Sequence, residues 1–217
     1  MDYKSQCGQD QWILENIFHN MQYGFFVDVG AGNGELLSNT WVMEKEFRWE
    51  GICIEPHPES FAQLKEKRAC ALSDRVVMDY NGEVDFHQFS HTAGFSEYFS
   101  SITTPQLKNP FQTIRKPCET LFTILEKLRC PSLIHYMSVD TEDSENLILK
   151  KFFEEEEANK GFLRHRIITL SVERHTPAQA KELLELMTKY NYTRIATLFI
   201  DDIYLHNAYN VLWQGNI

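Results

Sequence analysis

Apolar residues recur along this chain in two rhythms, and the switches between them outline its elements. After Asp10, residues Trp12, Ile13, Ile17 and Met21 repeat at helical spacing and predict an amphipathic first helix. Phe25 to Val29 is an apolar run with one acid, Asp28, as in a buried strand, and it stops at the glycine loop Gly30-Ala-Gly-Asn-Gly34. A helix is expected from about Ser38 through Glu46, then a second strand at Gly51 to Glu55. Pro58 opens a helix with Phe61 and Leu64 on one face, and a short third strand, Ala69 to Leu72, runs into Ser73-Asp74.

The middle of the chain is less regular. Val84 to Phe89 alternates like an exposed strand, and His91 to Pro110, rich in Ser, Thr, Gly and Pro, reads as loops suited to cover a site. Helical spacing resumes with Leu121, Phe122, Leu125 and Leu128. His135 to Val139 is a fourth strand ending at Asp140, and Ile167 to Val172 a fifth ending at Glu173. Glu154 to Glu157 reads as a solvated helix end. Pro177 starts a helix with Ala180, Leu183, Leu184 and Met187 facing inward. Tyr192 to Phe199 and Ile203 to His206, parted by Asp201-Asp202, form an antiparallel pair. Strands alternating with helices predict an α/β fold with a mostly parallel sheet, helices on both faces and an antiparallel C-terminal edge.

The 217 residues suit one domain, 1–217. A formal net charge of −10 with no long basic run argues against a nucleic-acid partner and favours a neutral or cationic acceptor. The first residues hold no apolar leader, and nowhere do eighteen apolar residues run together, so a soluble, cytoplasmic protein without a membrane partner is expected. Five cysteines, at 7, 53, 70, 118 and 130, are odd in number and lack C-x-x-C spacing, which points to a reducing compartment and no zinc site.

In a parallel sheet, ligands bind beyond the carboxyl ends of the strands. The polar residues expected there, Asp28, Glu55, Asp74, Asp140 and Glu173, form one acidic rim. Glycines at 30, 32 and 34 miss the dinucleotide spacing, and Glu35 would repel a pyrophosphate. A cofactor with a cationic amino-acid tail and no phosphate tolerates both features. S-adenosylmethionine fits that description, with Glu55 placed to accept hydrogen bonds from both ribose hydroxyls, whereas NAD and ATP fit poorly.

Four segments resemble the FkbM-type S-adenosylmethionine-dependent methyltransferases: Ser5 to Asp10, Asp28 to Thr40, Glu55-Pro-His-Pro, and Ser138 to Glu145 followed by Ser171-Val-Glu173. The resemblance implies a Rossmann-like class I methyltransferase with a seven-stranded sheet. It also implies that Asp28, Gly30, Ala31, Gly32, Asn33 and Gly34 hold the methionine end, Glu55 and Pro56 the ribose, and Leu72, Ser73 and Asp74 the adenine edge, with Ser38 and Asn39 also facing the cofactor. The family is associated with methylating hydroxyl oxygens, often on sugars or polyketide-derived compounds. Where the family has Asp-x-Glu-Gly-x-Glu after the fourth strand, this chain carries Asp143 in place of glycine.

A sugar hydroxyl is a poor nucleophile at neutral pH, so a general base or a metal ion is expected. Asp140 is the first choice, followed by Glu173 and His175. An oxygen-only set drawn from Asp140, Glu142, Asp143 and Glu173 suits Mg²⁺ or Mn²⁺. Glu142, Asp143 and Ser144 equally suit the cap of a helix beginning near Asn146. His87, Phe89, His91, Phe95, Tyr98 and Phe99 are candidates for a carbohydrate-binding wall or for ordinary core, with Ser96, Ser100 and Ser101 as hydroxyl-binding groups. The expected activity is O-methylation of a glycan sugar such as a deoxyhexose, rhamnose for example. A small-molecule acceptor and a cofactor-binding module without turnover are the alternatives, and the chain also fits one domain of a larger sugar-processing enzyme.

Overall fold

The computed structural model describes residues 1–90, 98–101, 112–159 and 164–210, with the backbone alone at 89–90 and 98–101. In chain order the elements are helix α1 (Gln9–Asn16), strand β1 (Phe25–Val29), α2 (Trp41–Lys45), β2 (Glu50–Ile54), α3 (Pro58–Lys67), β3 (Ala71–Ser73), β4 (Val76–Met78), β5 (Gly82–Ser90), β6 (Tyr98–Ser101) and β7 (Gln112–Thr120). They continue with α4 (Leu121–Lys127), β8 (Leu133–Val139), α5 (Glu145–Ala158), β9 (Arg166–Glu173), α6 (Pro177–Lys189), β10 (Tyr192–Leu198) and β11 (Asp201–His206).

Seven strands make one sheet in the order β10-β11-β9-β8-β1-β2-β3. The five from β9 to β3 are parallel, and β11 pairs antiparallel with both β9 and β10. Strand order reverses between β1 and β8, so the loops after these two strands open a crevice at the switch point. Side chains alternate across the sheet. Val27, Val29, Ile52, Ile54, Met137 and Val139 share one core with Leu125, Ile148, Phe152 and Leu183, while Phe26, Cys53 and Tyr136 share the other with Ile13, Leu14, Met43 and Leu64. Both faces of the sheet are thereby covered, as a parallel sheet requires.

Local chemistry sets the helix starts. Pro58 occupies the first turn of α3 behind the cap His57, and Thr176 with Gln179 forms a capping box at α6. The glycine loop does not run straight into a helix. α2 begins only at Trp41, later than the expected Ser38, because the Ser38 hydroxyl accepts the amides of Thr40 and Trp41 and holds the chain in a turn first.

Three expectations need correction. The third strand lies at 71–73 rather than 69–72. The region after it builds a second sheet, β4-β7-β5-β6, in which Tyr98–Ser101, expected as loop, pairs antiparallel with β5. Glu156, placed at a solvated helix end, is buried at 1 % exposure because its carboxylate accepts the amides of Arg164 and His165 and contacts the His165 ring at 2.6 Å. None of the five cysteines is in a disulfide, and no helix among the described residues is long and apolar enough to cross a membrane.

Candidate active site

The glycine loop leaves β1 with Gly30 at φ 90° and its amide bonded to the Ile54 carbonyl, 2.9 Å away. A Cβ at Gly30 would stand 1.7 Å from the carbonyl oxygen of Asp140. Glycine is thus required where β1 and β8 diverge. A Cβ at Gly32, in contrast, would meet open space. Asn33 closes the turn by accepting the amides of Glu35 and Leu36, and Ala31 is buried beneath it.

Glu55 stands across the loop from these glycines. One carboxylate oxygen accepts the Gly32 amide at 2.7 Å and the other the His57 amide at 2.6 Å. Burial pushes its pKa up to about 7, against the pull of those amides and of Lys116. Lys116, reaching over from β7, donates to the Pro56 carbonyl at 2.5 Å and ties the second sheet to this corner. Leu72, Ser73 and Asp74 line a cavity of about 250 Å³ together with Phe61, Arg75 and Ile124.

Asp28 is buried, and burial raises its pKa while Arg68 and the Thr40 hydroxyl, 2.6 Å from it, oppose the rise. Arg68 carries much of this corner. It donates to Glu44 at 2.6 Å, to the Gly34 carbonyl at 3.1 Å, to the Ser38 hydroxyl at 3.3 Å and to the Thr40 hydroxyl at 3.0 Å. Ser38 is therefore engaged within the fold. Its neighbour Asn39 differs: the amide nitrogen donates to Ser138 at 2.8 Å, but Oδ1, buried, has no hydrogen-bond partner among the described residues.

The acids after β8 and β9 form a second group. Burial and the adjacent Glu173 charge push Asp140 well above the usual carboxylate range. Burial also works against the Glu173 charge, yet His175 and the hydrogen bond from Asp140 outweigh it and keep Glu173 low. The two carboxyls thus share a proton and titrate as one pair. Glu142, mostly buried, is pushed up to about 8 by burial and by Glu173. His175 is drawn up to about 11 by Glu145 and Glu173, which makes it a cation at neutral pH rather than the base expected of it.

Helix α5 begins at Glu145, one residue before the expected Asn146, and Glu145 reaches back to the amide of Thr141 at 2.8 Å. Ser144 is the cap position but makes no side-chain capping bond. Asp143 takes φ 88°, the left-handed conformation that suits the glycine it replaces, and its side chain accepts Gln179 at 3.0 Å. One metal-like grouping exists among the described residues: donor atoms of Glu142, Glu173 and His175 all lie within 4.8 Å of one another.

Gln9 and Asp10, in the N-terminal segment, are buried at the same end. Gln9 donates to Asp201 at 2.6 Å, beside Glu173, while Ser5 bridges to Leu37 at the end of the glycine loop. Of the candidates for an acceptor wall, His87 lies 2.8 Å from the Thr113 hydroxyl. His91, Phe95 and Ser96 fall outside the described residues, as do the side chains of Phe89, Tyr98, Phe99, Ser100 and Ser101. Arg68 and Lys116 escaped the sequence reading, and Gln9 and Asp201 appear there without a role at the site, because a single charge or amide at an element's end carries no periodic signal.

The residues fit the expected cofactor. A glycine loop whose Gly30 admits no Cβ, a carboxylate aimed at it and an orphaned amide oxygen beside further acids match an adenosyl group with a cationic tail. Solved structures of similar fold include the METTL16 MTase domain in a second crystal form, 9% identical over 91% of this chain and 65% of that one, with a TM-score of 0.51. Another is the methyltransferase FkbM from Methylobacillus flagellatus KT, 13% identical over 86% of this chain and 44% of that one, also at 0.51. The chain thus spans less than two thirds of either neighbour. No curated protein matches it. The methyltransferase FkbM domain matches residues 28–194, well over half of the sequence. The chain belongs to the FkbM methyltransferase family and has a Rossmann-like methyltransferase fold.

Proposed function

We propose that this chain transfers a methyl group to a hydroxyl oxygen of a carbohydrate, a deoxyhexose of a glycan such as rhamnose being the acceptor that suits it. The observation that carries the reading is the meeting of two devices at one end of the sheet. Glu55 and the glycine loop form a cradle after β1 and β2, and the proton-sharing pair Asp140 and Glu173 follows β8 and β9.

Bound in the cradle, S-adenosylmethionine supplies an electrophilic methyl carbon. Glu55 would accept the ribose hydroxyls through the lone pairs left free by the Gly32 and His57 amides. Asn39 Oδ1 would accept an ammonium hydrogen of the amino-acid tail. Asp140 would take the proton of the acceptor hydroxyl. Its raised pKa makes it a far stronger base than an ordinary carboxylate, once the proton it shares with Glu173 has left. His175 holds Glu173 in place and keeps that neighbour charged. A divalent ion held by these carboxylates is the other route to an acidified hydroxyl.

The choice of sugar over other hydroxyls rests on what the family is associated with and on the −10 charge, which disfavours anionic acceptors. The test is incubation with S-adenosylmethionine and a panel of deoxyhexose-bearing glycans, non-sugar alcohols and phenols, read as a one-methyl mass gain. Methylated glycan is expected. Turnover confined to the non-sugar acceptors would contradict the sugar assignment, and transfer to nitrogen would contradict the hydroxyl.

A further inference from the structure

We propose that Glu142, Glu173 and His175 form a binding site for a first-row divalent ion of the Mn²⁺ to Zn²⁺ class, one carboxylate from the turn after β8 and a carboxylate and an imidazole from the end of β9.

Three observations converge. The donor atoms of the three side chains lie within 4.8 Å of one another, although Glu142 and Glu173 are far apart in sequence. Second, Glu173 Oε2 is 3.1 Å from His175 Nε2. Two cis ligands bound at roughly 2.1 Å and a right angle stand roughly 3 Å apart, with their lone pairs aimed at a common point rather than at each other. Third, the Glu173 side chain is only 9% exposed, and its Oε2 has no hydrogen-bond partner among the described residues. A buried carboxylate oxygen facing an imidazole calls for a positive charge between them, either the ring's proton or a metal ion that displaces it.

The donor set fixes the class of ion. Two carboxylates alone would suit Mg²⁺, but an imidazole nitrogen moves the preference toward Mn²⁺, Fe²⁺, Co²⁺ and Zn²⁺. Asp143, a candidate ligand by sequence, is engaged by Gln179, and Asp140 stands behind Glu173 as its hydrogen-bonding partner. That arrangement is an outer layer orienting an inner ligand. Three protein ligands leave coordination positions open to water or to an acceptor hydroxyl. Catalytic use of the ion rests on the methyl-transfer reading, whereas its binding does not.

The test is a titration of the metal-free chain with Mn²⁺ at neutral pH, following loss of the free-ion electron paramagnetic resonance signal. Co²⁺ absorption gives the coordination geometry independently. A saturable site is expected, weakened by on the order of tenfold to a hundredfold in Glu142→Gln and in His175→Asn, with Glu185→Gln on the exposed face of α6 unchanged. S-adenosylhomocysteine binding by each variant serves as the control for folding. Absence of saturable Mn²⁺ and Co²⁺ binding in the wild-type chain would overturn the site, as would affinity indifferent to both substitutions. Either result would mean that the His175 proton alone balances these acids. Metal binding without cofactor binding would uphold the site and remove the methyl-transfer reading instead.

Discussion

Gly30 and Asp140 meet backbone to backbone: a Cβ on residue 30 would lie 1.7 Å from the Asp140 carbonyl oxygen. The contact joins the loop that would hold the cofactor to the residue best placed to act as base. Gly30→Ala must part β1 from β8 and strain a φ of 90°, at a cost of about 2–4 kcal/mol. A lowered melting temperature together with lost S-adenosylhomocysteine binding is expected, whereas Gly32→Ala, where a Cβ meets open space, should cost only the roughly 1–2 kcal/mol strain of its φ of 55°.

Arg68 is the fastening of the same loop. Arg68→Met leaves Glu44 and Asp28 without their buried counter-charge and frees the Gly34 carbonyl, a loss on the order of 3–5 kcal/mol. Chemical denaturation of both proteins measures it. A change within experimental error would show that the Asp28 corner holds without the guanidinium.

Glu55 gives a pH dependence of definite sign. Its folded pKa, about 7, lies above the ordinary 4.5, so between these values the folded chain binds more protons than the unfolded one. This contribution to stability is full below the lower value and is lost as pH rises through the upper, by no more than about 3 kcal/mol. Cofactor affinity should move the opposite way, because ribose hydroxyls donate to the ionised carboxylate. Calorimetry across neutral pH should show affinity rising through about 7, and Glu55→Gln should remove that rise.

Asp140→Asn should leave cofactor binding near wild type and lower kcat on the order of a hundredfold to ten-thousandfold. Since Asp140 must be ionised to act, and burial beside Glu173 raises its pKa, wild-type turnover should climb as pH rises. Initial rates against pH for both proteins check this. A flat profile in the wild type would deny Asp140 the role of base.

The central strands were legible because Phe25–Val29, His135–Val139 and Ile167–Val172 are apolar runs that end at a glycine or an acid, and burial on both faces demands that pattern. β7 was not legible. Gln112–Thr120 contains Arg115, Lys116 and Pro117, and it is a strand only because β5 and β4 pair with it. The glycine loop and Glu55 could be read from adjacent sequence. Gln9 with Asp201, or Glu142 with His175, could not, since these pairs meet only once the strand ends are aligned. The helical period likewise gave no sign that Glu156 turns inward, because its partners follow the helix rather than share its face.

The most direct test is calorimetric titration of the folded chain with S-adenosylhomocysteine beside NAD⁺, repeated on Glu55→Ala. Saturable binding of S-adenosylhomocysteine alone, weakened tenfold or more by the substitution at about 1.4 kcal/mol per factor of ten, is the predicted result. No binding, or equal affinity in wild type and Glu55→Ala, would contradict the assignment of this site.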